Sequence, residues 1–217
     1  LRLGKTEKSN IYFNGEVPSY VLYIQDPFAI QTMIDAYITY TGDRSIMDEK
    51  VEDATVYEWM KRWTYKLKEF SEPDGLIDVG YNTELLIEIR TDGYNHVVPV
   101  INGLTADLYR WMGEEAERRG DKEASKFKAW HTQLVSSMNE KLWNDEVGWF
   151  DNLYPDGKKG ITWGYHLLDL LDKNDLSSYQ AHRLVQHLID GEFMSQYGLF
   201  AVSKADDLHW DQIDTDW

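Results

Sequence analysis

The sequence predicts an all-α protein, a row of about six helices paired into hairpins. Three observations carry this expectation. Apolar residues recur at spacings of three and four over most of the chain, the period of a helix with one buried face. Short polar turns, Gly42-Asp43, Gly120-Asp121 and Asp172-Lys173-Asn174-Asp175, join the helices two by two. Between the pairs lie longer segments rich in acids and aromatic rings, and stacking the hairpins side by side gathers those segments on one face. Such a face is where a site is expected.

Taken in order, residues 1–25 read as a lead-in loop or hairpin, with strand-like runs at Asn10–Phe13 and Tyr20–Ile24 separated by Asn14-Gly15 and Pro18. The helical domain is expected over 26–217. Asp26-Pro27 reads as an N-cap acid followed by a proline at the first helical position. Ile30, Met33, Ile34, Tyr37 and Ile38 then form an apolar stripe, and Thr41-Gly42-Asp43 stops it. A second helix spans about Asp53 to Phe70, with Val56, Trp59, Met60, Trp63 and Leu67 on one face. A third runs from about Pro99 to Arg119, where Gly120-Asp121 closes it. The fourth, Lys122 to Trp143, carries Phe127, Trp130, Leu134, Met138 and Leu142. An aromatic hairpin from Gly148 to Tyr154 turns at Pro155-Asp156-Gly157. Two further helices cover about Trp163 to Leu171 and Ser177 to Ile189. The tail, Glu192 to Trp217, loses the helical period and gathers aromatics and acids.

Composition narrows the function. With 217 residues and 42% hydrophobic side chains the chain is long enough for a sizeable core. A net charge of −16 and a pI near 4.7 argue against nucleic acid and anionic membranes, which select for basic faces. No run approaches the ~20 apolar residues that span a bilayer. The absence of cysteine excludes disulfides and thiolate metal sites. No cofactor is expected: His182 and His187 lie five apart without ligand-like spacing, and Asp211, Asp214 and Asp216 lack the glycine and terminal glutamate of a calcium loop. Nine Trp and fourteen Tyr suit a carbohydrate substrate, whose apolar faces stack on aromatic rings.

The segment between Pro73-Asp74-Gly75 and Pro99 holds more convergent polar chemistry than a connection needs. It contains Asp78, Tyr81, Asn82, Glu84, Glu88, Arg90, Asp92, Tyr94, Asn95 and His96.

Three longer motifs point to a family. They are Leu76-Ile77-Asp78-Val79-Gly80-Tyr81 with His96-Val97-Val98-Pro99-Val100-Ile101-Asn102-Gly103-Leu104, then Leu142-Trp143-Asn144-Asp145-Glu146-Val147-Gly148-Trp149-Phe150, then Ser195-Gln196-Tyr197-Gly198-Leu199-Phe200-Ala201-Val202-Ser203. Together with Asp26-Pro27-Phe28 and Tyr40-Thr41-Gly42-Asp43, this pattern resembles the six-hairpin α/α-toroid glycosidases, over most of residues 20–217. Within them it looks most like trehalases, processing α-glucosidases and mannosylglycerate-hydrolase-like enzymes. The resemblance implies an (α/α) toroid of which the six helices counted here make a partial barrel. It also departs from the pattern, because Ile101 stands before Asn102 where trehalase-like enzymes carry an acid, and the general base is left unassigned. The abrupt ends at Leu1 and Trp217 read as those of a fragment or processed chain. Half a toroid exposes apolar edges, so association with the missing part of the barrel or with a second copy is expected.

The resemblance implies hydrolysis of α-glucosidic or related short oligosaccharide linkages, by inversion. That chemistry needs two carboxyls about 6.5–9.5 Å apart across the sugar, one protonated and one ionised. Family position puts the acid in Asp78–Asp92. Glu84 and Glu88 share one face whether their run is helix or strand. Glu88, beside Arg90, is favoured, with Asp78 and Glu84 as rivals; the competing view makes all three solvated or paired surface acids. Arg90, Tyr94 and His96 are candidates for binding substrate, and Trp149, Trp163, Tyr165, Trp210 and Trp217 for stacking on sugar. Trp59, Trp63, Trp111, Trp130 and Trp143 sit at helical spacing and read as core.

Two alternatives stand beside this. In a polysaccharide lyase of the same toroid fold, Tyr94 or His96 would take the proton next to a uronate carboxylate while Asn95 or Arg90 neutralised it. The acidic chain suits a polyanion poorly, and His96 has a competing role capping the nearby helix. A non-enzymatic helical-hairpin binding module is the other, against which stands the lack of a regular repeat.

Overall fold

The computed structural model describes residues 24–81, 93–206 and 210. Among them are five α-helices: α1 (Asp26–Thr41), α2 (Val56–Lys68), α3 (Pro99–Arg118), α4 (Ala124–Lys141) and α5 (Ser178–Ile189). Two 3-10 helices, Ser45–Asp48 and Tyr165–Asp172, complete the helical set. The lead-in hairpin expected at 1–25 lies outside the described residues but for its last two.

Three hairpins stand in a row. α1 packs on α2, α3 on α4, and the 3-10 helix Tyr165–Asp172 on α5. α3 also touches α1, α2 and that 3-10 helix. α3 is central, and its residues enter both apolar clusters: Ile101, Leu108 and Met112 join α1 and α2, while Ala106 and Tyr109 join α4, the 3-10 helix and α5.

Local chemistry sets most helix ends. Thr55 caps α2 by accepting from the Glu58 N–H while the Glu58 carboxylate accepts from Thr55, a complete capping box. The helix therefore starts at Val56, later than the Asp53 expected from periodicity, and Lys50–Val51 pairs with Ala54–Thr55 just before it. Ser177 and Gln180 cap α5 in the same way. Gly42 ends α1 at φ +71°, with its N–H on the Ile38 carbonyl. At the other end of α1, Asp26 is the first helical residue rather than the cap, which is Gln25.

Three further expectations are corrected. The inward stripe of α1 is Phe28, Gln31, Ile34 and Ile38, whereas Met33 and Tyr37 face solvent. The run at Trp163–Leu171 is a 3-10 helix shifted to Tyr165–Asp172. The aromatic hairpin is two ladders, Trp143–Asn144 with Trp149–Phe150 and Asn152–Leu153 with Lys159–Gly160. Asp151 separates them, its N–H on the Leu142 carbonyl and its carboxylate accepting from Asn144. The expected faces of α2 and α4 are buried at Trp59, Met60, Trp63 and Leu67, then at Phe127, Leu134 and Met138, with Leu142 just beyond, while Val56 and Trp130 are half-buried against them. No helix among the described residues is long and apolar enough to cross a membrane.

The short connection Arg119–Glu123 lies at the end of the row that carries ion pairs. Asp121 accepts from Lys61 Nζ at 2.7 Å and from the Tyr57 hydroxyl at 2.8 Å, which ties α2 to the turn. Glu115, 2% exposed, accepts from Arg44, Arg118 and Arg119.

Candidate functional site

The segment leaving α2 is bridged to itself and to the one leaving α4, which in turn is bridged to the one leaving α5. Residue 77 pairs with 71, 97 with 153, and 164 with 202. The Val97 and Leu153 peptides exchange N–H to O bonds of 3.2 and 3.0 Å. Tyr165 N–H reaches Ala201 O at 3.0 Å, and Ser203 N–H reaches Trp163 O at 2.9 Å. The long connections thus form one knitted surface beside the N-terminus of α3.

Asn102, fully buried in the first turn of α3, anchors that surface. Its Oδ1 accepts the Ile77 N–H at 2.7 Å, and its Nδ2 donates to the Ile77 and Val98 carbonyls at 3.1 and 2.9 Å. Its neighbour Asp78 is held in turn. One oxygen accepts the Gly80 N–H at 2.7 Å, and His96 Nδ1 lies 3.1 Å from the same oxygen. Two backbone bonds close the ring, Val79 N–H to His96 O at 3.1 Å and His96 N–H to Gly80 O at 2.9 Å. His96 sits at φ +59°, in the left-handed region that non-glycine residues seldom occupy and that recurs at functional sites.

A carboxylate accepts, so His96 Nδ1 is the donor in this contact, and in the neutral imidazole the lone pair then lies on Nε2. Among the described residues no hydrogen bond is made by Nε2. Both side chains are one-fifth exposed. The Tyr81 ring, with its residue 75% exposed, lies 6.4 Å from the imidazole at 55°.

The remaining candidates are distributed differently. Tyr94 is buried, in the apolar cluster that holds Val98 and Val100. Trp149 is fully buried: it stacks on Phe193 at 5.7 Å, meets the His187 ring edge at 5.1 Å, and donates to Thr162 O at 3.3 Å. Its full burial corrects its expected place as a sugar platform. Trp163, half-buried, lies 5.1 Å from Trp149. Tyr165 is half-buried with its ring against His166, and Trp210 lies edge-on to Phe200 at 4.8 Å. Glu84, Glu88, Arg90 and Trp217 lie outside the described residues.

A shallow recess opens at the start of α3, lined by Tyr94, Pro99, Asn152, Thr162, Gly164 and His166 among others. Asn152 braces it by donating to Gly93 O and Thr162 Oγ1, both at 3.0 Å. Away from this surface, Asp107 on α3 is the one described carboxyl held above its ordinary range. Burial raises it, against the pull of Arg110 and of Gln31 Nε2 at 2.7 Å. Sequence reasoning passed over Asn152, His166 and Asp107, because nothing in their local spacing distinguishes them.

No family profile and no curated protein matches this sequence. Solved structures do match. A rhamnosidase from Klebsiella oxytoca with rhamnose bound aligns over 81% of this chain and 32% of that one, at 12% identity and a TM-score of 0.62. A GH78-family rhamnosidase of Bacillus sp. GL1 aligns over 80% of this chain and 18% of that one, at 18% identity and a TM-score of 0.64. A neutral trehalase of Saccharomyces cerevisiae aligns over 91% of this chain and 35% of that one, at 13% identity and a TM-score of 0.47. The chain thus shares the helical fold of part of these two rhamnosidases. It spans about a third or less of the length of the two rhamnosidases.

Proposed function

We propose that this chain forms part of a glycoside hydrolase. The observation that carries the proposal is the convergence of three long connections at the N-terminal end of α3, on a fold whose solved relatives are glycosidases. A fold hosts many activities, so the site chemistry must bear the rest. The linkage is α-glucosidic or a related short oligosaccharide bond, the barrel is an (α/α) toroid of which this chain is a part, and the reaction inverts the anomeric centre. Glu88 is the proton donor, with Glu84 and Asp78 as rivals, and Arg90, His96, Trp163, Trp210 and Trp217 contact the sugar. The elimination reading is disfavoured by the net charge of −16, which suits a polyanionic substrate poorly.

The test is hydrolysis of maltose, trehalose, and aryl α-glucosides and α-rhamnosides by the purified protein. Proton NMR of the first-formed product should show the inverted anomer. Glu88→Gln should lower kcat by about a hundredfold or more, the range of acid catalysis. If Glu88→Gln, Glu84→Gln and Asp78→Asn each leave hydrolysis intact, the proposal is removed.

A further inference from the structure

We infer that Asp78, His96 and Tyr81 form a subsite for one neutral pyranose, in which Asp78 is a positioning residue and His96 Nε2 accepts a sugar hydroxyl. The inference rests on the glycosidase proposal and adds to it. The first support is the tautomer. Asp78 accepts the Gly80 N–H at 2.7 Å, which holds its carboxylate toward the imidazole, and the bond Asn102 makes to the Ile77 N–H fixes the backbone beside it. Its contact with Nδ1 at 3.1 Å puts the imidazole proton there and turns the Nε2 lone pair outward. A group presented in this way recognises an O–H donor.

The second support is the ring beside it. An exposed tyrosine face 6.4 Å from an oriented imidazole supplies the two contacts that a pyranose uses, an apolar platform and a directional polar partner. The third is the cost of the arrangement. His96 holds a left-handed backbone at φ +59°, and its backbone pairs with Val79 and Gly80 keep it there. Glycine would adopt that conformation without strain, so the side chain is what the position keeps. The overall negative charge favours an uncharged ligand over a uronate or a phosphate.

The assignment changes what Asp78 does. In this assignment Asp78, which accepts the Gly80 N–H and faces His96 Nδ1, is the residue that orients the imidazole. The proton donor is then sought at Glu88 or Glu84.

Histidine-selective ¹⁵N NMR on the full chain is the first experiment. His96 should show Nδ1–H with an unprotonated Nε2 at neutral pH, and Asp78→Asn should alter that pattern. Titration with maltose and with trehalose should shift the His96 Nε2 resonance. Tyr81→Ala should weaken that response about tenfold and Tyr81→Phe should leave it, since the ring and not the hydroxyl is the platform. His96→Asn, whose residue type tolerates the same backbone region, should raise KM for the sugar substrate about tenfold with the thermal midpoint unchanged. In hydrolysis, Tyr81→Ala should raise KM and spare kcat. An Nε2–H tautomer, or His96 resonances that ignore both sugars while hydrolysis proceeds, would overturn the subsite and leave the glycosidase proposal standing. Sugar-induced shifts without any hydrolysis would support the subsite and remove the catalytic proposal.

Discussion

Asn102 and Ile77 are joined as a peptide pairs with a peptide: the side-chain amide of one takes both the N–H and the C=O of the other, at 2.7 and 3.1 Å, across 25 residues of sequence. The bond places the segment Leu76–Val79 on the first turn of α3 and thereby fixes where Asp78 stands. Asn102→Ala leaves both buried backbone groups of Ile77 unpaired. It should cost about 2–4 kcal/mol, the penalty for orphaned buried polar groups. Urea denaturation checks the loss, and faster amide exchange at Ile77 checks its place.

Glu115 is buried under three guanidinium groups, of which Arg119 also bonds Asp48 at 2.7 Å. Burial pushes its carboxyl up, but the bonds from Arg44, Arg118 and Arg119 prevail and hold it below the ordinary range. Glu115→Ala should destabilise by about 2–3 kcal/mol. That lies below the range for a fully buried ion pair because the arginines are partly exposed. Thermal unfolding of the variant against the parent measures it.

The Asp121 carboxyl is lowered to about 2, chiefly by its bond to Lys61 and then by the Glu123 N–H. Its folded value lies below its unfolded one. The stability it contributes is therefore whole above the ordinary aspartate range and is lost as pH falls toward 2. Asp121→Asn should flatten the stability profile between pH 4 and pH 2 relative to the parent, with the difference greatest at neutral pH. Chemical denaturation across that interval is the check.

Trp149 is a core residue and Trp163 only borders it. Trp149→Ala should cost about 3–5 kcal/mol, as large aromatic truncations in well-packed interiors do. Trp163→Ala should cost less, because part of its ring already meets water. Parallel denaturant melts of the two variants decide the order.

The sequence by itself determined the hairpin rhythm, the helix starts at Pro99 and Ser177, the ends at Gly42 and Gly120, and the inward faces of α2 and α4. These depend on groups within a turn or two: caps, a proline that fits the first helical turn, a glycine that adopts positive φ, and an apolar stripe at helical spacing. Tertiary structure alone decided the inward face of α1 and the burial of Trp149. Met33 and Tyr37 fit the stripe of α1 as well as Ile34 does, yet the helix turned Phe28 and Gln31 inward instead, toward Asp107 of α3. Trp149 has the composition of a sugar platform and is enclosed by Phe193 and His187 from elements more than thirty residues away. The pairing of Asp78 with His96 spans 18 residues and depends on Asn102 beyond them. No local pattern encodes such contacts, because burial and register at these positions are set by whichever segments meet there once the hairpins pack.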